Sequence, residues 1–120
     1  QITLSLLDAD EEIDKGDIYL KKIIEIPKSA LWNEINEILF LAELDMMKYV
    51  VENFKKLSKK KQDRKIEPTY LRKRTPKDSK VDVSKSISEQ FDLIRVCDPN
   101  RFPAYFEIHG LKYKITLEKI

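Results

Sequence analysis

Glycine, cysteine and histidine are scarce in this sequence, and each shortage excludes a class of site. The 120 residues contain two glycines, one cysteine and one histidine. So few glycines cannot form a glycine-rich phosphate-binding loop. A single cysteine forms no intrachain disulfide, and with a single distant histidine it cannot close a zinc site. We therefore expect no metal site, and a cytoplasmic location suits a chain with one thiol.

Long apolar runs are also missing. No stretch approaches the ~20 apolar residues of a membrane-spanning helix, and no signal peptide follows Gln1, so we expect no membrane partner. The net charge of +2 conceals an uneven distribution. Residues 55–74 are strongly basic and residues 8–17 are strongly acidic. Such blocks bear on partners rather than on fold.

Periodicity predicts the elements of the first half of the chain. ITLSLL at 2–7 and IYLKKIIEI at 18–26 alternate in polarity, which indicates two strands. Apolar residues then recur every three or four positions from Leu31 to Leu57, which predicts a helix of about seven turns. Ser29 is its predicted N-cap. The apolar stripe is broad, so we expect the helix to be covered on more than one side.

The basic residues 55–67 show no apolar period, which favours a solvated helix end and loop. Further on, Ile87, Phe91 and Ile94 predict a shorter helix. Asp82 or Ser84 is its predicted cap.

The C-terminal residues predict a β-hairpin. AYFEI at 104–108 and LKYKITL at 111–117 flank the pair His109-Gly110, which suits a two-residue turn. We interpret His109 as a turn residue rather than a catalytic group.

Three segments resemble one enzyme family. LSLLDADEEIDKGDIYLKKIIEI, residues 4–26, resembles the strand–loop–strand of folate-dependent formyltransferases, the methionyl-tRNA formyltransferase-like family. RKRTPKDSKVD at 72–82 and FDLIRVCDPNRFPAYFE at 91–107 resemble the region after the catalytic core in bacterial nucleotide-sugar N-formyltransferases. The resemblance is closest to these sugar enzymes and runs over nearly the whole chain.

The resemblance implies an α/β fold in two parts. Residues 1–67 would form the C-terminal part of a Rossmann-like formyltransferase core, with two strands and the long helix. Residues 68–120 would form a small α+β subdomain that ends in the hairpin. The family's catalytic Asn and His precede the matched region, so the chain corresponds to a C-terminal half. We expect it to be inactive alone and to need the upstream half as its partner.

The resemblance also implies a reaction. A sugar enzyme would transfer a formyl group from N10-formyltetrahydrofolate to the 4-amino group of a TDP- or UDP-linked deoxysugar. A methionyl-tRNA formyltransferase is the alternative, because the basic block 55–74 would attract the tRNA backbone. A non-catalytic binding or scaffold module is a third hypothesis, and a homodimer is left open.

The family's catalytic aspartate precedes x-Gly, which places it at Asp14. Formyl transfer needs a group that orients the His and manages a proton. The main chain of Glu12, Ile13 and Asp14 resembles the loop that binds the pterin, with Ile13 as an apolar wall. Gly16 would let the chain turn so that the Asp14 carboxylate points inward. Without the resemblance, Asp14 and Asp17 would be read as a simple turn.

Four residues resemble substrate contacts, namely Arg72, Arg74, Phe102 and Tyr105. Arginine pairs bidentately with phosphate oxygens, and an aromatic ring can stack on a nucleobase. The alternatives are an ion pair between Arg74 and Asp78, and packing of Phe102 or Tyr105 in a small core.

Overall fold

The computed structural model describes residues 1–12, 14–63, 66 and 69–120. The chain forms two compact units, one of Gln1–Ile26 with Glu37–Tyr70 and one of Pro27–Asn36 with Leu71–Ile120. The division into domains 1–67 and 68–120 stays a prediction, because compactness does not show that either part folds by itself.

An antiparallel hairpin opens the first unit. Strand β1 (Ile2–Leu7) pairs with strand β2 (Ile18–Ile24), and the register shifts between Leu6 and Leu7. Both predicted strands are confirmed. The second ends at Ile24, two residues before its predicted end, because its partner Ile2 is the first residue of β1.

The long helix is confirmed, but it is shorter than predicted at both ends. Helix α1 spans Trp32–Asn53, and a 3₁₀ turn at Phe54–Lys56 follows it. The prediction of Ser29 as N-cap is wrong, since Ser29 lies in a turn before the helix. Glu34 instead accepts a hydrogen bond from the Leu31 amide at 2.7 Å. That bond satisfies one of the donors that a helix leaves unpaired at its start.

Helix α1 has two apolar faces of different exposure. On one face Ala42 and Met46 are buried. On the other, apolar side chains recur at spacings of four, three and four residues and are 45–79% exposed: Phe40, Leu44, Met47 and Val51. We call these four residues the exposed apolar face. We expected α1 to be covered on more than one side, but the described part of the chain leaves this second face exposed.

The second unit contains a 3₁₀ turn (Pro76–Ser79) and helix α2 (Ile87–Arg95). Ser86 caps α2 in a reciprocal arrangement with Glu89. The prediction of Asp82 or Ser84 as cap is wrong, because the Asp82 carboxylate accepts the Ser84 amide and hydroxyl in a turn before the helix.

The predicted C-terminal hairpin is confirmed. Strand β3 (Ala104–Ile108) pairs antiparallel with strand β4 (Leu111–Ile115). His109 and Gly110 both have positive φ, 52° and 77°, as a tight two-residue hairpin turn requires. Strand β4 ends two residues before the predicted end, because Ile115 pairs with the first residue of β3.

A small core holds the second unit together, formed by Val81, Ile94, Cys97 and Ala104. Residue 81 also joins the hairpin, since its amide donates to the Tyr105 carbonyl at 2.7 Å. The free thiol of Cys97 is buried and donates to the Leu93 carbonyl at 3.2 Å. In the described part of the chain, no helix is long and apolar enough to cross a bilayer.

Substitution of two adjacent methionines tests which face of α1 is buried and which is exposed. Met46 is 4% exposed and Met47 is 57% exposed. We expect Met46→Ala to lower the free energy of unfolding of this chain by about 2–5 kcal/mol, because it leaves a cavity. We expect Met47→Ala to change it by less than about 0.5 kcal/mol. Denaturant titration followed by circular dichroism measures both, and equal losses would contradict the assigned faces.

Candidate functional site

The acidic loop, residues 8–17, joins β1 to β2 and is closed at its base. The Asp8 amide donates to the Asp17 carbonyl at 2.8 Å. The Asp8 carboxylate pairs with the Lys59 ammonium. This pairing lowers the pKa of Asp8 and raises the pKa of Lys59. The ammonium also lies 5.4 Å from the Tyr19 ring centroid, so the loop base is tied to a distant segment of the first unit.

Gly16 is required in the loop because its backbone lies close to that of Asp8, and not because the chain turns there. A Cβ atom at this position would lie 1.9 Å from the Asp8 carbonyl oxygen. We expected Gly16 to let the chain turn, but among the described loop residues the positive φ lies at Asp14, with φ of 60°, and not at Gly16. Aspartate tolerates this left-handed conformation better than most residues. The expected role of Gly16 is therefore corrected.

Gln62 contacts the loop from the basic segment. Its side-chain amide donates to the carbonyls of Asp14 and Gly16, both at 2.7 Å. Two residues earlier, Lys60 exchanges two backbone hydrogen bonds with Ile18, at 2.8 and 2.9 Å. The prediction of a solvated loop is therefore confirmed in part: Lys59, Lys60 and Lys61 are exposed, whereas Gln62 is half-buried against the acidic loop. An isolated pair of backbone hydrogen bonds, such as that between Lys60 and Ile18, leaves no periodic pattern in the sequence. The one available signal was Gln62, an amide side chain that follows a run of lysines.

The predicted folate contacts lie at the surface of the loop. Glu12 and Asp14 are exposed, and Ile13 lies outside the described residues. The Glu12 carboxylate pairs with the Lys15 ammonium. Among the described residues, no three His, Cys, Asp or Glu side chains are grouped to hold a metal ion.

A cleft of about 840 Å³ runs along β2 beside residues 60–63. Its lining includes the lysines at 21, 60 and 61, with Tyr19 and Gln62. Of the described loop residues, neither Glu12 nor Asp14 lines it. The cleft therefore does not coincide with the two predicted folate contacts that the structure describes.

A second cleft, of about 720 Å³, lies within the second unit. We call it the lysine–tyrosine cleft, and its lining residues are Thr75, Pro76, Lys77, Pro103, Tyr105, Lys112, Tyr113 and Lys114. Tyr105 is the one predicted substrate residue among them, and the Lys112 ammonium lies 5.4 Å from its ring centroid. Our reading of the sequence missed the three lysines. The alternation of Lys112 and Lys114 in β4 was the available signal.

The other predicted substrate residues do not line this cleft. Arg72 forms a two-point ion pair with Asp78, which holds the pKa of that carboxyl far below its usual range. In the described part of the chain, the Arg74 guanidinium donates to the Asp78 carbonyl at 3.4 Å and not to its carboxylate, so the alternative of an Arg74–Asp78 ion pair is wrong. Phe102 is 60% exposed, with the Arg101 guanidinium 5.8 Å from its ring. Packing of Phe102 in the core is therefore wrong as well.

The chain is similar to formyltransferases in sequence and in fold. A methionyl-tRNA formyltransferase from Fusobacterium nucleatum subsp. nucleatum is 29% identical over 120 residues, covering 98% of this chain and 38% of that protein. The fold matches a methionyl-tRNA formyltransferase from Clostridium thermocellum, with a TM-score of 0.67 and 22% identity over 92% of this chain. It also matches a 4-N formyltransferase from Francisella tularensis, with a TM-score of 0.69 and 22% identity over 97% of this chain.

The chain is related to the formyltransferase family. It spans 47% and 51% of the two formyltransferases of known structure. No protein-family model matches it. The predicted relationship and fold class are thus confirmed, as part of a formyltransferase fold. The roles of the individual site residues stay predictions.

The two glycines test what holds the acidic loop. We expect Gly16→Ala to lower the free energy of unfolding by about 1–3 kcal/mol, because the added methyl group forces the two backbone segments apart. The control is Gly110→Asn, where a Cβ atom would meet nothing within 4 Å and where asparagine tolerates the φ of 77°. Thermal unfolding measures both, and a Gly16→Ala protein as stable as the control would contradict the close approach.

Proposed function

We propose that this chain is the C-terminal half of a sugar-nucleotide N-formyltransferase. The reaction would carry a formyl group from N10-formyltetrahydrofolate to the 4-amino group of a TDP- or UDP-linked deoxysugar. The observation that carries the proposal is the acidic loop, in which Asp14 is held at positive φ in a chain that shares the formyltransferase fold. Residues held in rare backbone conformations cluster at functional sites.

Asp14 is the residue to which the proposal gives proton handling. An amine that becomes an amide must lose a proton, and a nearby carboxylate can accept it or orient the group that does. The exposed side chain of Asp14 is accessible to such a substrate. His109 is unsuited to this role, because it occupies the β3–β4 turn.

The main chain of Glu12, Ile13 and Asp14 would hold the folate. When bound, the folate supplies the formyl group. The described part of this loop fits main-chain recognition, because Glu12 and Asp14 are exposed. The Asp14 carbonyl accepts one hydrogen bond from Gln62 and has a second lone pair available.

The lysine–tyrosine cleft would hold the nucleotide sugar. Tyr105 offers a ring for stacking on a base, and the lysines of the lining offer charge for a diphosphate. Arg74 adds free guanidinium donors just before Thr75 and Pro76 of the lining. Phe102 offers an exposed ring just before Pro103. Arg72 would act through Asp78, because its guanidinium is already paired there.

A methionyl-tRNA formyltransferase is the second candidate. It is favoured by the 29% identity to such an enzyme and by exposed lysines at positions 55, 56 and 61. Binding that weakens steeply with added salt would favour tRNA. Saturable binding of an aminosugar nucleotide would favour the sugar enzyme, and loss of both would favour a scaffold module.

The upstream half of the enzyme is the proposed partner. The exposed apolar face of α1 is a contiguous patch of the kind that marks an interface, and the two formyltransferases of known structure are about twice as long as this chain. A second copy seated on the same face would instead form a homodimer. The proposal places the reaction in the cytoplasm, in keeping with the free thiol of Cys97.

The first functional prediction concerns Asp14. In the chain joined to its upstream half, Asp14→Asn should reduce formyl transfer about 100-fold or more, as expected when an acid–base partner is lost. Asp10→Asn removes the same charge from the same loop and should leave the rate nearly unchanged. Turnover of N10-formyltetrahydrofolate with an aminosugar nucleotide measures both.

The chain without its upstream half should show no turnover in the same assay. Turnover by the chain alone would contradict the proposal that it is one half of the enzyme. Equal rates for the two aspartate variants would contradict the proposed role of Asp14.

The second functional prediction concerns the nucleotide sugar. Tyr105→Ala and Arg74→Ala should each weaken its binding about 10-fold, because a stacking ring or a phosphate donor is lost. Folate binding should not change. Tyr70→Ala, at a tyrosine that is 85% exposed and outside the cleft lining, is the matched control. Calorimetry with a TDP- or UDP-aminosugar decides, and unchanged affinity in both variants would remove the cleft from the proposal.

A further inference from the structure

Gln62 makes two hydrogen bonds that the proposed reaction does not use. Its side-chain nitrogen donates to the carbonyls of Asp14 and Gly16. Both partners are acceptors, so only the NH₂ group can face them, and its two protons satisfy both. One side chain thus bridges the two carbonyls on either side of Lys15, from a position 46 to 48 residues further along the chain.

The segment that carries Gln62 is itself fixed. Lys60 and Ile18 exchange two backbone hydrogen bonds at 2.8 and 2.9 Å, where β2 begins. Lys59 pairs with Asp8, where the acidic loop begins. Residues 59–62 therefore contact both ends of the loop, and Gln62 reaches its middle from a fixed backbone.

The conformation of Asp14 needs such a restraint. A non-glycine residue at positive φ persists only where its surroundings hold it. Gly16 is packed against Asp8, so one end of the 14–16 segment is already fixed, and Gln62 fixes the other. If φ of Asp14 relaxes to a negative value, its Cβ and carboxylate leave in another direction.

We propose that Gln62 is a positioning residue that holds Asp14 at positive φ and so aims its carboxylate. This inference rests on the proposed function. Gln62 touches the backbone of the loop, and it acts on the reaction only through Asp14.

Spectroscopy tests the restraint without any assay of activity. In the full-length protein, a strong intraresidue contact between the amide and Hα protons of Asp14 reports positive φ. We expect Gln62→Met, which keeps the length of the side chain but removes the amide, to weaken this contact. We also expect hydrogen exchange at the Asp8 amide to become about 10-fold faster. Gln62→Glu should do more, because a carboxylate would then face two carbonyls.

Ser58→Ala is the matched control, since Ser58 is exposed on the same segment, and it should change neither signal. Unchanged signals at Asp14 and Asp8 in both Gln62 variants would overturn the proposal. Equal acceleration of exchange along α1 would also overturn it, because that result would indicate general unfolding.

Kinetics then test the consequence for the reaction. We expect Gln62→Met to lower kcat about 10-fold with little change in KM for the aminosugar nucleotide, since Gln62 does not line the lysine–tyrosine cleft. Gln62→Arg restores donors at this position and should recover part of the loss. A change in KM alone, or an unchanged kcat, would overturn the positioning role. Absence of formyl transfer in the unmodified protein would count against the proposed function. In that case the spectroscopic result would still show whether Gln62 holds Asp14 at positive φ.

Discussion

The close approach of Gly16 to Asp8 is the constraint on which the acidic loop depends. It brings the two ends of the loop so near that a single methyl group would not fit between them. The amide of Asp8 also donates to the Asp17 carbonyl at the base of the loop, and the chain turns between these two residues. The turn occurs at Asp14, at positive φ. The close approach at Gly16 and the two hydrogen bonds from Gln62 together restrain the backbone beside the proposed catalytic residue.

Charge supports this geometry from outside the loop. The carboxylate of Asp8 would be repelled by the other acidic residues nearby, and the ammonium of Lys59 offsets that repulsion. The basic block thus has two functions in the first unit. Lys59, Lys60 and Gln62 bind the loop and β2, and the exposed side chains of Lys55 and Lys56 add charge towards solvent.

In the second unit, an ion pair at the 3₁₀ turn and strand pairing in the hairpin determine where the charged side chains lie. Asp78 accepts the Thr75 amide at 2.6 Å and pairs with Arg72, so the turn that lines the lysine–tyrosine cleft is fixed by its own acidic residue. The antiparallel register sets Tyr105 opposite Lys114. This arrangement combines a ring and cationic groups at one cleft, which is why the proposal for a nucleotide sugar is centred there.

The elements, the β3–β4 turn and the family resemblance could be predicted from the sequence by itself, because periodicity, a Gly in a two-residue turn and motif order are properties of neighbouring residues. Helix caps were less well predicted: Ser29, Asp82 and Ser84 are all chemically able to cap, but Ser86 caps α2 because Glu89, three residues later, completes the reciprocal pair. The contacts of Gln62 and Lys59 with the loop join residues 46 to 51 positions apart, and no local pattern records them. Only the tertiary structure decided these contacts, because the hydrogen bonds form only when the fold has brought the two segments together.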